Sequence, residues 1–283
     1  MIITIASGKG GTGKTTVATS LAASLEDRIN LIDCDVEEPN VHIFLKPDFT
    51  SSEIVNTMVP AVDMSRCNLC GACEEICQFS AITLVGKKIM TFPEMCHSCK
   101  GCVMVCHEDA VKESHRELGE IVRGSIGQIE LYYGNLRVGE AMSPPLIEKV
   151  KENAVKTGTN IIDAPPGTSC PVIAALKGSD FVLLVTEPTP FGLNDLVLAV
   201  EAVRILDIPF GIVINRSDIG DDRTKKYAEK EAIPVMMEIP HRREIAEAYS
   251  KGIMMIDIIP AMRKSFKSLY SNIKEIVSVS NGT

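Results

Sequence analysis

Short, nearly continuous apolar runs alternate along this chain with longer stretches of helical period. The apolar runs fall at residues 2–6, 30–32, 160–162, 181–185, 210–214, 234–239 and 254–258. Helical patterns separate most of them, beginning with residues 14–25. Phe181-Val182-Leu183-Leu184-Val185 has no polar position at all, as befits a strand covered on both faces. Strands alternating with helices predict an α/β fold, a doubly wound and mostly parallel sheet. The rhythm breaks between residues 58 and 116 and then resumes. The expected organisation is therefore one α/β domain in two parts, residues 1–57 and 117–283, with a small α+β insert at 58–116. Residues 117–142 are expected to form short strands and turns at the sheet edge. The last helical stripe, with Met262, Phe266, Leu269, Tyr270, Ile273 and Ile276 on one face, is expected to pack on the sheet rather than on a membrane.

Composition narrows the function. Of 283 residues, 45% are hydrophobic, enough for a sizeable core, and the formal net charge is −8. That charge, with aromatics at 5% and no Trp, argues against nucleic acid or an anionic membrane as partner. No apolar run approaches the ~20 residues needed to span a bilayer. The chain opens with a strand running directly into a glycine-rich loop, without a secretory signal pattern. Ten cysteines are consequently expected to be metal ligands in a reducing cytoplasm rather than disulfides.

Gly8-Lys9-Gly10-Gly11-Thr12-Gly13-Lys14-Thr15 fits G-x-x-x-x-G-K-[ST] between a strand and a helix. Backbone N–H groups of such a loop converge on phosphate oxygens, and the helix N-terminus adds favourable partial charge. Lys14 is expected on the β- and γ-phosphates, and the Thr15 hydroxyl on Mg²⁺, with Thr16 beside them. The second lysine, Lys9, resembles the deviant Walker A loop of the MinD/ParA superfamily, which includes the nitrogenase iron protein. The resemblance covers the chain outside the insert. It implies a nucleotide-dependent homodimer in which Lys9 reaches the partner's nucleotide; a solvated loop lysine is the plainer alternative. Leu31-Ile32-Asp33-Cys34-Asp35 resembles the family's first switch, which implies that Asp35 orients the attacking water and that Asp33 supports the Mg²⁺ shell. Ile161-Ile162-Asp163-Ala164-Pro165-Pro166-Gly167 resembles the Walker B strand and second switch. There Asp163 would hold Mg²⁺ through water, and the Gly167 N–H would sense the γ-phosphate. Asn215 and Pro240 match the positions that bracket the base. Asn215-Arg216-Ser217-Asp218 also resembles the guanine-reading N-K-x-D, so GTP stays open, although the doubled lysine favours ATP.

Eight of the ten cysteines lie in two C-x2-C-x2-C-x3-C runs: Cys67, Cys70, Cys73 and Cys77, then Cys96, Cys99, Cys102 and Cys106, each offset by 29 residues. A repeat of this kind suggests two similar halves. The spacing resembles the two-cluster bacterial ferredoxins, whose fourth cysteine serves the other cluster. It implies one 4Fe–4S cluster on Cys67, Cys70, Cys73 and Cys106 and a second on Cys96, Cys99, Cys102 and Cys77. Gln78 and His107 stand where the usual proline follows the fourth cysteine. Zinc knuckles remain the alternative. His97 and His107 flank cluster cysteines; each could tune a potential, or be simply exposed. Cys34 is expected to be a small buried strand residue. Cys170 lies seven residues after Asp163, where the nitrogenase iron protein carries a bridging-cluster cysteine, but the second such cysteine has no counterpart here.

Together these motifs resemble the MinD-superfamily ATPases with an inserted ferredoxin domain. Three functions follow as expectations: an ATP-gated electron carrier to an unidentified redox partner, an assembly or carrier ATPase for metal cofactors, and a redox-sensing spatial organiser.

Overall fold

The computed structural model describes residues 1–280. The chain divides into two compact units, the first made of residues 1–52, 121–135 and 147 onward, the second of residues 53–120 and 136–146. The expected insert, residues 58–116, lies within the second.

In chain order the elements begin with β1 (Ile2–Ala6), α1 (Lys14–Ala22), β2 (Ile29–Asp33), α2 (Val41–Leu45) and β3 (Asp48–Val62). The middle of the chain holds α3 (Ala72–Glu75), β4 (Ile82–Val85), β5 (Lys88–Thr91), α4 (Gly101–Met104), β6 (Val111–Ile126), β7 (Ile129–Leu136) and α5 (Pro144–Lys151). The remainder runs β8 (Thr159–Asp163), α6 (Cys170–Leu176), β9 (Phe181–Thr186), α7 (Pro190–Ile205), β10 (Phe210–Asn215), α8 (Arg223–Lys230), β11 (Val235–Ile239), α9 (Arg243–Tyr249), α10 (Met255–Ile258) and α11 (Met262–Ser280).

Among the described residues nine strands form one sheet in the order β11-β10-β9-β1-β8-β2-β7-β6-β3. β1 runs parallel to β8 on one side and β9 on the other, and β2 runs parallel to both β8 and β7. β2 and β9 are buried along their whole length, which is why their sequences show no alternation. The chain leaves β1 toward β2 and β8, then returns to β9 on the opposite side. The loops after β1, β2 and β8 therefore open at the switch point of a doubly wound sheet, where such folds place ligands. Ile3, Ile5, Val17, Leu21, Phe181 and Phe266 belong to one buried cluster under this sheet.

α11 packs as its stripe predicts. Phe266, Leu269, Tyr270 and Ile273 are buried, and the Tyr270 hydroxyl pairs with Thr159 Oγ1 at 2.5 Å. Among the described residues no helix is long and apolar enough to cross a membrane.

Two expectations need correction. Residues 254–258 form no strand; α10 covers Met255–Ile258, burying Met255 and Ile256. A five-residue apolar run carries no period long enough to separate strand from helix. Residues 117–142 are not short edge strands. β6 runs 16 residues and β7 eight, and β7 lies inside the sheet between β2 and β6 while β3 takes the edge. Charged residues such as Lys112, Glu117 and Arg123 punctuate β6 and masked its continuity. β3, a 15-residue strand with an exposed first half, was likewise not evident in the sequence.

The second unit carries the repeat in its backbone. α3 and α4 are offset by 29 residues, as are Leu69 and Ser98, Gly71 and Lys100, and Ser80 and Asp109, all at positive φ. The Phe92 N–H donates to Ala81 O and the Asp63 N–H donates to Ala110 O, both at 2.8 Å, again at matching positions. Ala81, Ile82, Ala110 and Val111 are buried. The 29-residue repeat is thus two copies of one strand–loop–helix–strand unit. The end of β3 neighbours β6, and β5 pairs with β4, so the first strand of each copy meets the last strand of the other.

Candidate functional site

The loop between β1 and α1 is shaped by glycines. Gly11 and Gly13 sit at φ +78° and +98°, conformations L side chains rarely adopt. A Cβ on Gly13 would come within 2.5 Å of Asn215 Nδ2, and one on Gly8 within 2.1 Å of Asp195 O. Gly8 is therefore required by close packing, and Gly13 by close packing as well as by conformation. Gly13 is the N-cap of α1 with no side-chain cap, which leaves that helix's first N–H groups for a ligand.

The loop borders a cavity of about 460 Å³, a volume suited to a small-molecule ligand. Its lining takes Gly10, Gly11, Gly13, Lys14, Thr15 and Thr16 from the loop, together with Asp35, Asn215 and Pro240. Lys14 is buried, so its ammonium has few solvent partners. Lys9 is half-buried and does not line this cavity.

Three carboxylates gather behind the loop, in three environments. The Thr15 hydroxyl donates to Asp163 Oδ2 at 2.6 Å, while Asp163 Oδ1 is buried with no hydrogen-bond partner among the described residues. Burial pushes Asp163 up to about 7; Lys14 and the Thr15 hydroxyl oppose the rise and Asp35 adds to it. Asp35 is pushed to about 6, chiefly by burial, with Lys14 opposing and Glu38 and Glu37 adding. Asp33 lies well above the usual carboxylate range, because it is fully buried and close to Asp163. An orphaned buried oxygen beside a hydroxyl, among carboxyls driven toward protonation, is a donor set that fits Mg²⁺, a hard cation that prefers oxygen.

Several expected roles look different at atomic detail. Asp33 accepts from the Asp35 N–H at 3.0 Å, the Asn40 N–H at 3.0 Å and the Val41 N–H at 3.1 Å. It shapes the loop that carries Asp35. The Gly167 N–H donates to Ser7 O at 3.0 Å, so in this structure it is committed to backbone rather than facing the cavity. Asn215 Nδ2 donates to Thr12 O at 2.8 Å, tying the end of β10 to the phosphate loop. Asp218 Oδ1 accepts from the His241 N–H and does not line the cavity, which leaves the N-K-x-D resemblance without its aspartate at the site.

The sequence did not single out His241, Arg242 or Tyr249, which also line the cavity, as does Arg216 of the Asn215–Asp218 stretch. Arg216 holds φ +54° and pairs with Glu187 at 3.0 Å. The His241-Arg242 dipeptide directly follows Pro240, and its position after a strand-ending proline was the available signal. Tyr249 packs against Phe44 of α2 with ring centroids 4.8 Å apart and planes tilted by 41°, a contact between distant residues that no local pattern encodes.

In the second unit the eight repeat cysteines separate into two groups. Cys67, Cys70, Cys73 and Cys106 line one cavity; Cys77, Cys96, Cys99 and Cys102 line another. Each group thus takes three thiols from one run and the fourth from the other. Cys77 Sγ accepts from the Ala81 N–H at 3.3 Å, and Cys106 Sγ from the Ala110 N–H at 3.2 Å. Burial pushes the Cys102 thiol up to about 11 and raises Cys73. Among the described residues no three His, Cys, Asp or Glu side chains converge on one ion-sized point. Two wider thiol quartets with N–H···S contacts fit a polynuclear sulfide cluster, whose ligands stand on separate metal atoms. Outside the quartets, Cys34 is buried and Cys170 is exposed at the start of α6.

Comparison with known proteins follows the same lines. The sequence profile described as the CobQ/CobB/MinD/ParA nucleotide binding domain matches residues 3–256. An uncharacterized protein of Methanocaldococcus jannaschii is 32% identical over 282 residues, covering 98% of each chain. An iron-sulfur cluster carrier protein of Rickettsia bellii is 24% identical over 276 residues, covering 94% of this chain and 69% of its own. Among solved structures, the septum site-determining protein MinD of Pyrococcus horikoshii, complexed with Mg-ADP, has a TM-score of 0.59 at 17% identity. It covers 98% of this chain and 97% of its own, and the likeness is one of fold.

Proposed function

This chain belongs to the CobQ/CobB/MinD/ParA nucleotide-binding family, and from that membership we propose that it binds and hydrolyses ATP to gate electron transfer through two 4Fe–4S clusters to a redox partner. The observation that carries the reading is the sorting of the cysteines. One chain joins a phosphate-loop cavity to two thiol quartets, each drawing its fourth thiol from the other run.

On this reading the α1 N-terminus and Lys14 bind the phosphates. Thr15 and Asp163 hold Mg²⁺, whose charge neutralises that developing on the transferred phosphoryl group. Asp35, on the loop fixed by Asp33, orients the attacking water. Asn215, Arg216 and Pro240 bracket the base, and the tethered Asp218 favours adenine over guanine. Lys9, absent from its own chain's cavity, serves the nucleotide of a second copy in an ATP-dependent homodimer. In the second unit the thiols ligate as thiolates, so loading releases protons. The N–H groups of Ala81 and Ala110 stabilise sulfur charge. Bound there, the clusters supply one-electron carriers.

A second reading is supported by the relatives named iron-sulfur cluster carrier proteins: an ATPase that delivers a cluster to another protein. One experiment distinguishes them. Anaerobic protein should hold about eight iron and eight sulfide per chain, following the two-cluster spacing, and keep them through ATP turnover beside an apo-acceptor. Transfer of iron and sulfide to the acceptor would favour the carrier reading. Zinc without labile sulfide would remove both.

A further inference from the structure

The two quartets occupy equivalent places in a repeat, so any difference between their surroundings is a choice of side chain rather than of fold. Three such differences stand out. Asn68 and Glu108 flank the Cys67/Cys70/Cys73/Cys106 cavity and are joined by an Asn68 Nδ2–Glu108 Oε1 bond of 3.1 Å. Their counterparts 29 residues away, His97 and Phe79, flank the Cys77/Cys96/Cys99/Cys102 cavity as a parallel stack with centroids 3.4 Å apart. The same cross-repeat contact is therefore made once by a carboxylate and an amide, and once by two rings. Next, Gly71 in the first cavity corresponds to Lys100 in the second, where the lysine holds a backbone φ of +62°, a conformation better suited to glycine. Finally, the Ser98 N–H donates to Cys96 Sγ at 3.4 Å, in addition to the Ala81 contact to Cys77 that its Cys106 counterpart matches.

All three differences act in one direction. An added electron makes a cluster more negative, which an adjacent carboxylate opposes and an ammonium or an extra N–H···S bond favours. Lys100 is paired with Glu113 at 2.8 Å, which reduces its contribution; no corresponding cation is paired with Glu108 in the first cavity's lining.

Building on the two-cluster reading above, we propose that the sites are deliberately unequal: Cys77, Cys96, Cys99 and Cys102 hold the more readily reduced cluster, and Glu108 and Lys100 set the gap between the two. The chain would then be a two-step carrier with a defined internal order rather than a pair of interchangeable sites.

Stepwise reduction of anaerobic full-length protein by dithionite, followed by EPR, tests this; one electron enters each cluster and dithionite is oxidised. Wild type should show two resolved one-electron waves. Glu108→Gln should raise the lower wave and leave the higher in place. Lys100→Met should lower the higher wave and leave the lower in place. Either variant alone should narrow the gap, and the double variant should narrow it further. Iron and sulfide analysis of the same samples separates the two levels of failure. Full loading with coincident wild-type waves, or Glu108→Gln moving the higher wave, would overturn the ordering alone. Absence of iron and sulfide would overturn the cluster reading and the ordering together.

Discussion

At the scale of single residues, the site consists of charges whose cost is met by specific neighbours. Lys14 is buried beside Asp35 and Asp163. Lys14→Ala should abolish tight ATP binding and lower hydrolysis by at least about 10²-fold, the usual loss for a group aimed at transition-state charge; nucleotide titration and phosphate release measure both. Asp35→Ala should keep ATP affinity within a few-fold while hydrolysis collapses, because the residue orients water rather than holding nucleotide. The carboxyls also imply a pH dependence. Asp35 and Asp163 have folded values of about 6 and about 7, above the ordinary aspartate value. Between that value and about 7 the folded state holds protons that the unfolded state has lost, so these two groups make stability fall as pH rises. The nucleotide-free protein should lose melting temperature between pH 5 and 8, and Asp163→Asn should flatten part of that loss. An Asp163→Asn profile parallel to wild type would contradict the assignment. Lys14, Thr15, Asp35 and Asp163 were legible in the sequence because the loop and strand-end patterns name them. The hydrogen bonds of Gly167 and Asn215 were not, since each partner is set by how two loops meet, and those of Asp33 depend on the turn its own loop takes.

At the scale of elements, period was the reliable signal and continuity the unreliable one. The fully buried strands β2 and β9 and the stripe of α11 followed from hydrophobic spacing. β3 and β6 did not, because long strands partly in solvent carry polar and charged residues that interrupt the apolar pattern. α10 shows the opposite failure, an apolar run too short to declare its period. The packing of α11 gives a direct check. Phe266 is fully buried, so Phe266→Ala should destabilise the protein by about 3–5 kcal/mol in denaturant titration. A change below about 1 kcal/mol would mean that the helix does not complete the core. In the phosphate loop, Gly13→Ala meets both a forbidden φ and the Asn215 amide, and should lose nucleotide binding with little change in far-UV circular dichroism. The 29-residue repeat was legible as cysteine spacing. Its structural meaning, two units exchanging strands and fourth thiols, needed coordinates.

At the scale of the whole molecule, the account depends on how nucleotide state reaches the thiol quartets. The loop bearing Asp35 leads directly into α2, then β3, and β3 ends five residues before Cys67. Burying Lys9 in a partner's site costs desolvation that the γ-phosphate charge can offset, so dimer closure should require ATP. Asp35→Ala with ATP should elute as a dimer, and the same protein carrying Lys9→Ala as a monomer. Gating requires ATP to bind the closed state more tightly than the open one, and whatever moves with closure must change the surroundings of the clusters. The most direct measurement is a redox titration of anaerobic Asp35→Ala protein with and without Mg-ATP. The account predicts that at least one of the two cluster potentials shifts when ATP is bound. Identical potentials in both states, with the dimer shown to form, would contradict ATP gating.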